Sequence, residues 1–355
     1  MQAVSQTGWV ASQVAEQVAM PQAASFPVLK GNAILFSSFT FGQIGGWLNP
    51  VPDDVIAVGL VVSARPVGLA IGFLQSGKPR ATLTSIVVAP AFRRKGLGRR
   101  LLDAWQAEAS ARGASACTAS YIEAMSGREG LEALLADAGW TAPRATGLVV
   151  VGRVGRMVDA GRSWSSVTDR LAVSRTYTFD PLDLTATDVA AVERYLADPE
   201  AADMLGPLHQ SEYLARDFSI AIRRDGRLVG WLVAAETHRP LLDGTTKEPA
   251  IRYLEAYIDP LHRQSGIMVG AYYHCYARQL ALLGRDSVAV YYTSHENRPR
   301  MVALTQRRFE PIAERVDTIL SVSASLIGLE NDAQDRVSKF GVYKEDSTNN
   351  GIICV

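Results

Sequence analysis

Eight residues near position 95, Arg93-Arg94-Lys95-Gly96-Leu97-Gly98-Arg99-Arg100, combine five basic side chains with two glycines. An apolar, β-branched run ends just before them at Val88, and a stretch with helical periodicity follows, so the glycines fall where a helix begins. The first turn of a helix leaves backbone N–H groups unpaired, and a residue without Cβ lets a phosphate approach them. Positive side chains at that end oppose the helix macrodipole, so five of them destabilise the helix mildly unless an anion sits among them. A solvated basic helix start is the ordinary reading of an RxxGxG string. Here the charge placement weighs against it and favours a phosphate-bearing ligand. A dinucleotide-binding loop is the competing glycine motif, but GxGxxG is absent and no parallel βαβ run precedes the string.

The elements that must hold this loop are legible on both sides of it. Residues 55–63, 67–74 and 81–88 read as strands, 96–112 as a helix, 114–122 as a strand, 128–138 as a helix and 147–154 as a closing strand. A second series starts near Ser174, where Thr185 and Asp188 form a capping box for a helix running to about Ala197. Strands 218–224, 227–236 and 251–258 then precede a helix over 266–283, a strand over 287–293, a helix over 298–307 and a strand over 312–320. The order repeats. Val88-x-Pro90-x-x-Arg93-x-x-Gly96 aligns with Ile258-x-Pro260-x-x-Arg263-x-x-Gly266 at a constant offset of 170 positions, the mark of an internal duplication. The spacing predicts a first domain over 1–155, a linker over 156–173 in which Trp164 packs down, a second domain over 174–330 and a flexible polar tail over 331–355.

With the loop and repeat in place, the chain resembles the GNAT superfamily of acyl-CoA N-acyltransferases, whose (Arg/Gln)-x-x-Gly-x-(Gly/Ala) motif follows a strand and binds the pyrophosphate of coenzyme A. Arg93, Gly96 and Gly98 match it. The run Leu131-Glu132-Ala133-Leu134-Leu135-Ala136-Asp137-Ala138-Gly139-Trp140 looks like the family's late helix and its glycine-aromatic turn, with Asn297 and Phe309 in the equivalent places of the second half. The resemblance implies an α/β chain of two tandem GNAT folds, each a mixed, mostly antiparallel splayed sheet flanked by helices. It implies acyl-CoA, acetyl or longer, as cosubstrate. Arg93, Arg94, Lys95, Gly96, Leu97, Gly98 and Arg99 would surround the pyrophosphate, and Ile86, Val87 and Val88 would run beside the pantetheine arm. The acceptor is then an amine of a small molecule or peptide, attacking directly in a ternary complex, since no cysteine lies in an evident nucleophile setting.

The two halves depart from the family in different ways. Ser85 stands where many relatives carry a glutamate base, whereas the second half has Glu255 there, expected to share a strand face with Tyr253 and Tyr257. A carboxylate at that spot could equally pair with Arg252 or Arg278. In the second loop Met268 replaces the second small residue and crowds the backbone, so one tight coenzyme site is expected, in the first half. Leu135 and Leu304 replace the tyrosine that protonates the departing thiolate in many relatives. Tyr121, Glu123 and Tyr291 are the candidates left near the ends of the fifth strands, although tyrosines there more often simply pack. Phe36, Phe39, Phe41 and Trp47 could line an acyl groove, with core packing the favoured alternative.

Composition bounds what else the chain does. The 355 residues suit two domains, and 48% apolar against 20% charged residues gives real cores. With 36 basic and 36 acidic residues cancelling, no overall field favours nucleic acid, and the apolar runs are too short for a membrane span. Cys117, Cys275 and Cys354 lack disulfide or zinc spacing, the five histidines never fall into ligand spacing, and no secretory signal is read in residues 1–20. A cytoplasmic, metal-free acyltransferase is expected. The rival is a non-catalytic acyl-CoA-binding or scaffold protein, motivated by Ser85, Leu135 and Met268.

Overall fold

Two stretches of strand, helix and strand repeat along the chain, and their strands join edge to edge. The computed structural model describes residues 24–75, 77–164, 169, 176–197, 214–240, 247–295, 299–326 and 352–353. In the first half, β1 (Ala24–Ser25), β2 (Val55–Val62), β3 (Arg65–Leu74) and β4 (Arg80–Val88) form an antiparallel set; helix α1 (Leu97–Ala111) then leads to β5 (Ala116–Ile122), which runs parallel to β4. Helix α2 (Arg128–Asp137), β6 (Arg144–Arg153) and helix α3 (Val154–Gly161) follow. In the second half, β7 (Tyr177–Pro181), helix α4 (Ala186–Leu196), β8 (Ile220–Arg224), β9 (Arg227–Pro240) and β10 (Lys247–Ile258) precede helix α5 (Ile267–Leu283). Then come β11 (Val288–Ser294), parallel to β10, helix α6 (Pro299–Leu304) with a π-helical turn to Phe309, and β12 (Arg315–Ser325). Helix α4 starts with the expected capping box, Thr185 and Asp188 exchanging side-chain and backbone hydrogen bonds.

Strand alternation sorts the apolar residues. Even positions of β2 (Ile56, Val58, Leu60) meet Leu101, Leu102 and Trp105 of α1 in one core, and Trp105 Nε1 donates to the Ile56 carbonyl at 3.1 Å. Odd positions (Val55, Ala57) face a second core under the segment 29–48. Phe36 is buried in that core, with Phe39, Phe41 and Trp47 packed against it, so the aromatic cluster is packing and not a groove.

The sheet differs from the expected pair of separate sheets. Among the described residues it is one continuous sheet of 13 strands, in the order β1-β2-β3-β4-β5-β12-β6-β11-β10-β9-β8-β7, with β13 (Ile352–Ile353) beside β5. The closing strands are exchanged: β12 of the second half pairs antiparallel with β5, and β6 of the first half pairs antiparallel with β11. Leu320, Val322, Ala324 and Leu326 thereby enter the core over α1, while Val150 enters the core over α5. A boundary near 155 divides the chain but not the sheet.

The linker expectation also changes. Residues 154–161 form α3, with Val154, Met157 and Val158 buried on one helical stripe against the second core. Only eight residues and two glycines carry that stripe, which is why its period is faint in the sequence. Trp164 does pack down, edge-on to Phe309 at 5.1 Å. Of the tail expected over 331–355, only Ile352–Ile353 are described, and they are paired with β5. Residues 1–20 and Asn297 lie outside the described residues.

Candidate active site

The basic loop joins β4 to α1 as its sequence requires. A 3-10 turn over Pro90–Phe92 leaves Val88, Arg94 takes a left-handed conformation at φ 57°, and Gly96 precedes α1 at φ 72°, a region where glycine carries no Cβ penalty. Among the described residues no side chain caps this helix, and its first hydrogen bond runs from the Arg100 N–H to the Gly96 carbonyl. The N–H groups of Leu97, Gly98 and Arg99 therefore lead the helix at its positive end. The nearest described atoms to a Cβ placed on Gly98 would be Leu134 and Val88 carbons at 3.9 Å, an ordinary contact, so packing among the described residues does not demand glycine there. What the missing side chain leaves open is the approach to the leading N–H groups. That opening suits a pyrophosphate.

The charged residues of the loop divide into two groups. The Arg93 Nε donates to the Val88 carbonyl at 2.8 Å and closes the loop onto its strand; Arg263 does the same to Ile258 at 3.2 Å, which explains physically why both repeats keep the arginine. Arg94 and Lys95 are exposed, Lys95 lying 5.5 Å over the Phe92 ring. Arg99 is otherwise engaged. Its guanidinium bonds Asp103 at 2.8 Å and Asp137 at 2.9 Å, tying α1 to the end of α2, and these carboxylates raise its pKa further. Only its backbone N–H belongs to the loop.

Beside the loop the sheet opens. Strands β4 and β5 pair from Arg80↔Ala116 to Leu83↔Ala119, then part where Thr84 bulges out of the β3–β4 register. Ser85 and the residues Ile86, Val87 and Val88 line the β4 side of this notch, and Ser120–Ile122 the β5 side.

The structure gathers some candidate catalytic groups and separates others. Tyr121 is fully buried beneath α1 and α2, and its hydroxyl donates to Glu132 Oε1 at 2.9 Å. Burial, and then the Glu132 carboxylate, push this phenol well above its ordinary pKa. Arg128 Nε bonds the same carboxylate at 2.9 Å, and another guanidinium nitrogen reaches Glu123 at 3.4 Å. Glu123 is half exposed, and its amide donates to the Thr318 carbonyl of β12, so the exchanged strand helps to place it. Tyr121, Glu132, Arg128 and Glu123 thus form one cluster. Sequence reasoning missed Glu132 because it reads as an ordinary residue of an amphipathic helix; its position three before Leu135 was the available signal. Ser85 does not join them. It pairs with Ile71 and so shares the face under segment 29–48, opposite to Tyr121, and its hydroxyl is buried with no hydrogen-bond partner among the described residues.

In the second half Gly266 repeats the left-handed turn at φ 77°, but Met268 occupies the position of Gly98. The expectation that Glu255 shares a face with both Tyr253 and Tyr257 fails. Leu254 bulges between Tyr253↔Ala234 and Glu255↔Val233, which turns Tyr253 into the core over α5, where its hydroxyl donates to Gln279 at 2.9 Å. Of the two tyrosines, Tyr257 stays on the face of Glu255 and stacks on Trp231 at 4.5 Å. Tyr291 is buried as well and donates to Thr305 at 3.0 Å. Among the described residues, no helix is long and apolar enough to cross a membrane, and no three His, Cys, Asp or Glu side chains come together as a metal site.

A splayed strand pair leading into a glycine loop at a helix N-terminus is the arrangement of the GNAT fold, present here twice. Residues 42–135 match the acetyltransferase (GNAT) family, so the chain carries a GNAT domain in its first half. Its fold resembles a tandem GNAT protein from the clavulanic acid biosynthesis pathway, solved without acetyl-CoA, at a TM-score of 0.59 and 17% identity over 85% of this chain and 98% of that one. A GCN5-related glucosamine N-acetyltransferase region of a fungal multi-domain β-N-acetylglucosaminidase superposes at the same TM-score of 0.59 and 13% identity, over 86% of this chain and 38% of that one. At such identities the likeness shows the fold alone. No curated protein matches the sequence.

Proposed function

We propose that the protein transfers an acyl group from acyl-CoA, held by the first half, to an amine of a small molecule or peptide. The uncapped N-terminus of α1 carries this reading: Gly98 leaves it open although packing does not require a glycine there. Arg93, Arg94, Lys95, Gly96, Leu97 and Gly98 hold the pyrophosphate, with the Arg99 side chain steadying the helix, and Ile86, Val87 and Val88 guide the pantetheine arm along the notch.

The amine nitrogen attacks the thioester carbonyl, an N–C bond forms, and the C–S bond breaks. One amine proton must reach a base, and the thiolate must gain a proton. Glu123 is the carboxylate with solvent access for the first task, directly or through water, and Tyr121 is the phenol kept protonated for the second through its place over Glu132. Ser85 lies on the opposite face of the sheet, under the segment 29–48, and joins neither. Cys117 and Cys275 are both buried, which pushes the Cys117 thiol up to about 12 and Cys275 higher still, so direct attack is favoured over a thiol-bound intermediate. The second half shapes the acceptor side through β12, and Glu255 is the counter-candidate if that half is the catalyst.

Calorimetry with CoA and longer acyl-CoAs tests the site: one tight site is expected, insensitive to Arg263→Ala. Release of free CoA thiol with a pool of amines then tests the chemistry. Binding without thiol release would favour the non-catalytic acyl-CoA binder, a reading supported by the burial of Ser85 and Tyr121.

A further inference from the structure

The notch between β4 and β5 already holds a strand. One edge of β5 is taken by β12, through Ile122↔Ile319, Tyr121↔Leu320 and Ser120↔Ser321. The other edge faces β4 across the gap that opens after Leu83↔Ala119, and there β13 pairs in parallel, Ile352↔Ser120 and Ile353↔Tyr121. Strand β13 lies against β4 as well. The corresponding notch of the second half opens after Tyr253↔Tyr291 and receives no such strand among the described residues.

Open strand edges attract any extended chain that can offer amides and carbonyls. The pantetheine arm is such a chain, and so is a peptide. A paired strand sits roughly 4.8 Å from its neighbour, so a chain bound to the β5 edge fills the wedge through which an arm on the β4 edge would pass. We propose that the segment containing Ile352–Ile353 and the acyl-CoA arm are alternative occupants of the first-half notch, so that the protein's own strand restrains cosubstrate binding there. The proposal rests on the reading of the first half as the acyl-CoA site. It makes the notch a docking surface for a short, extended apolar peptide, with β13 as the occupant held in the same chain.

CoA affinity measured by calorimetry tests this on three forms: the full chain, the full chain carrying Ile352→Pro and Ile353→Pro, which removes both backbone donors, and a chain stopped after Asn350. Both altered forms should bind CoA roughly fivefold to thirtyfold more tightly, the scale of two backbone hydrogen bonds no longer competing. A synthetic peptide with the sequence of residues 346–355, added to the shortened chain, should weaken CoA binding again. If both altered forms bind CoA within twofold of the full chain while Gly98→Met still abolishes binding, the competition is refuted and the loop assignment stands. If no form binds CoA, the site assignment itself fails, and the competition with it.

Discussion

Replacing Gly98 by methionine, the residue that the second half carries at the same place, should move stability and binding in opposite directions. The nearest described atoms to a Cβ at Gly98 are Leu134 and Val88 carbons at 3.9 Å, so the first turn of α1 accepts it without a shift. Removing a helix glycine is worth about 0.5–1 kcal/mol, so the free protein should melt no lower than the parent. Bound phosphate, by contrast, loses its approach to the leading N–H groups of Leu97, Gly98 and Arg99. A hydrogen bond to a charged group contributes about 1.5–3 kcal/mol, so losing two of them weakens binding by about 10²- to 10⁴-fold. Differential scanning fluorimetry on the free protein and calorimetry with CoA read the two effects separately. Binding retained within threefold of the parent would show that the pyrophosphate lies elsewhere. A fall in melting temperature of several degrees would show that Gly98 serves packing.

Four further outcomes follow from the same geometry. Tyr121→Phe and Glu132→Gln should each lower turnover by about 10²-fold with CoA affinity nearly unchanged, because acid–base groups act in the transition state; equal losses of affinity would refute the assignment. Because the Tyr121 pKa is raised, the phenol stays protonated and the rate should show no falling limb from it up to pH 10. A fragment ending near residue 160 should fail to fold alone and recover when the second half is supplied, since β12 contributes Leu320, Val322 and Ala324, and the residue after it Leu326, to its core, at roughly 1.5–3 kcal/mol for each large side chain; a cooperative melt of the fragment alone would refute this. Arg223 holds Asp188 well below the usual carboxylate range, so the pair stabilises the fold above the unfolded carboxylate pKa near 4 and that stability is lost as pH falls. Asp188→Asn should cost about 3–5 kcal/mol at neutral pH and less in acid, checked by urea melts across pH.

The features read correctly from the sequence alone are local ones. The start of α1 at the glycines, the capping box of Thr185 and Asp188, and the register that places Arg93 opposite Arg263 all depend on residues a few positions apart, where backbone preferences and capping chemistry act. The duplication was legible for the same reason: each repeat encodes its own loop. The exchange of β6 and β12 was not, because a strand's alternation states which face it buries and never which edge it will join. Single-residue bulges at Thr84 and Leu254 leave no pattern in the sequence, yet the second turned Tyr253 away from Glu255. Whether a tyrosine near a strand end meets a substrate or a core is likewise decided by what packs over it. Tyr121 lies beneath α2 with Glu132 as its partner, a contact between residues on two elements that only the folded chain brings together. Ile352–Ile353 read as part of a polar tail because so short a segment has no strand signal of its own; the unpaired edge of β5 supplies the hydrogen bonds that make it a strand.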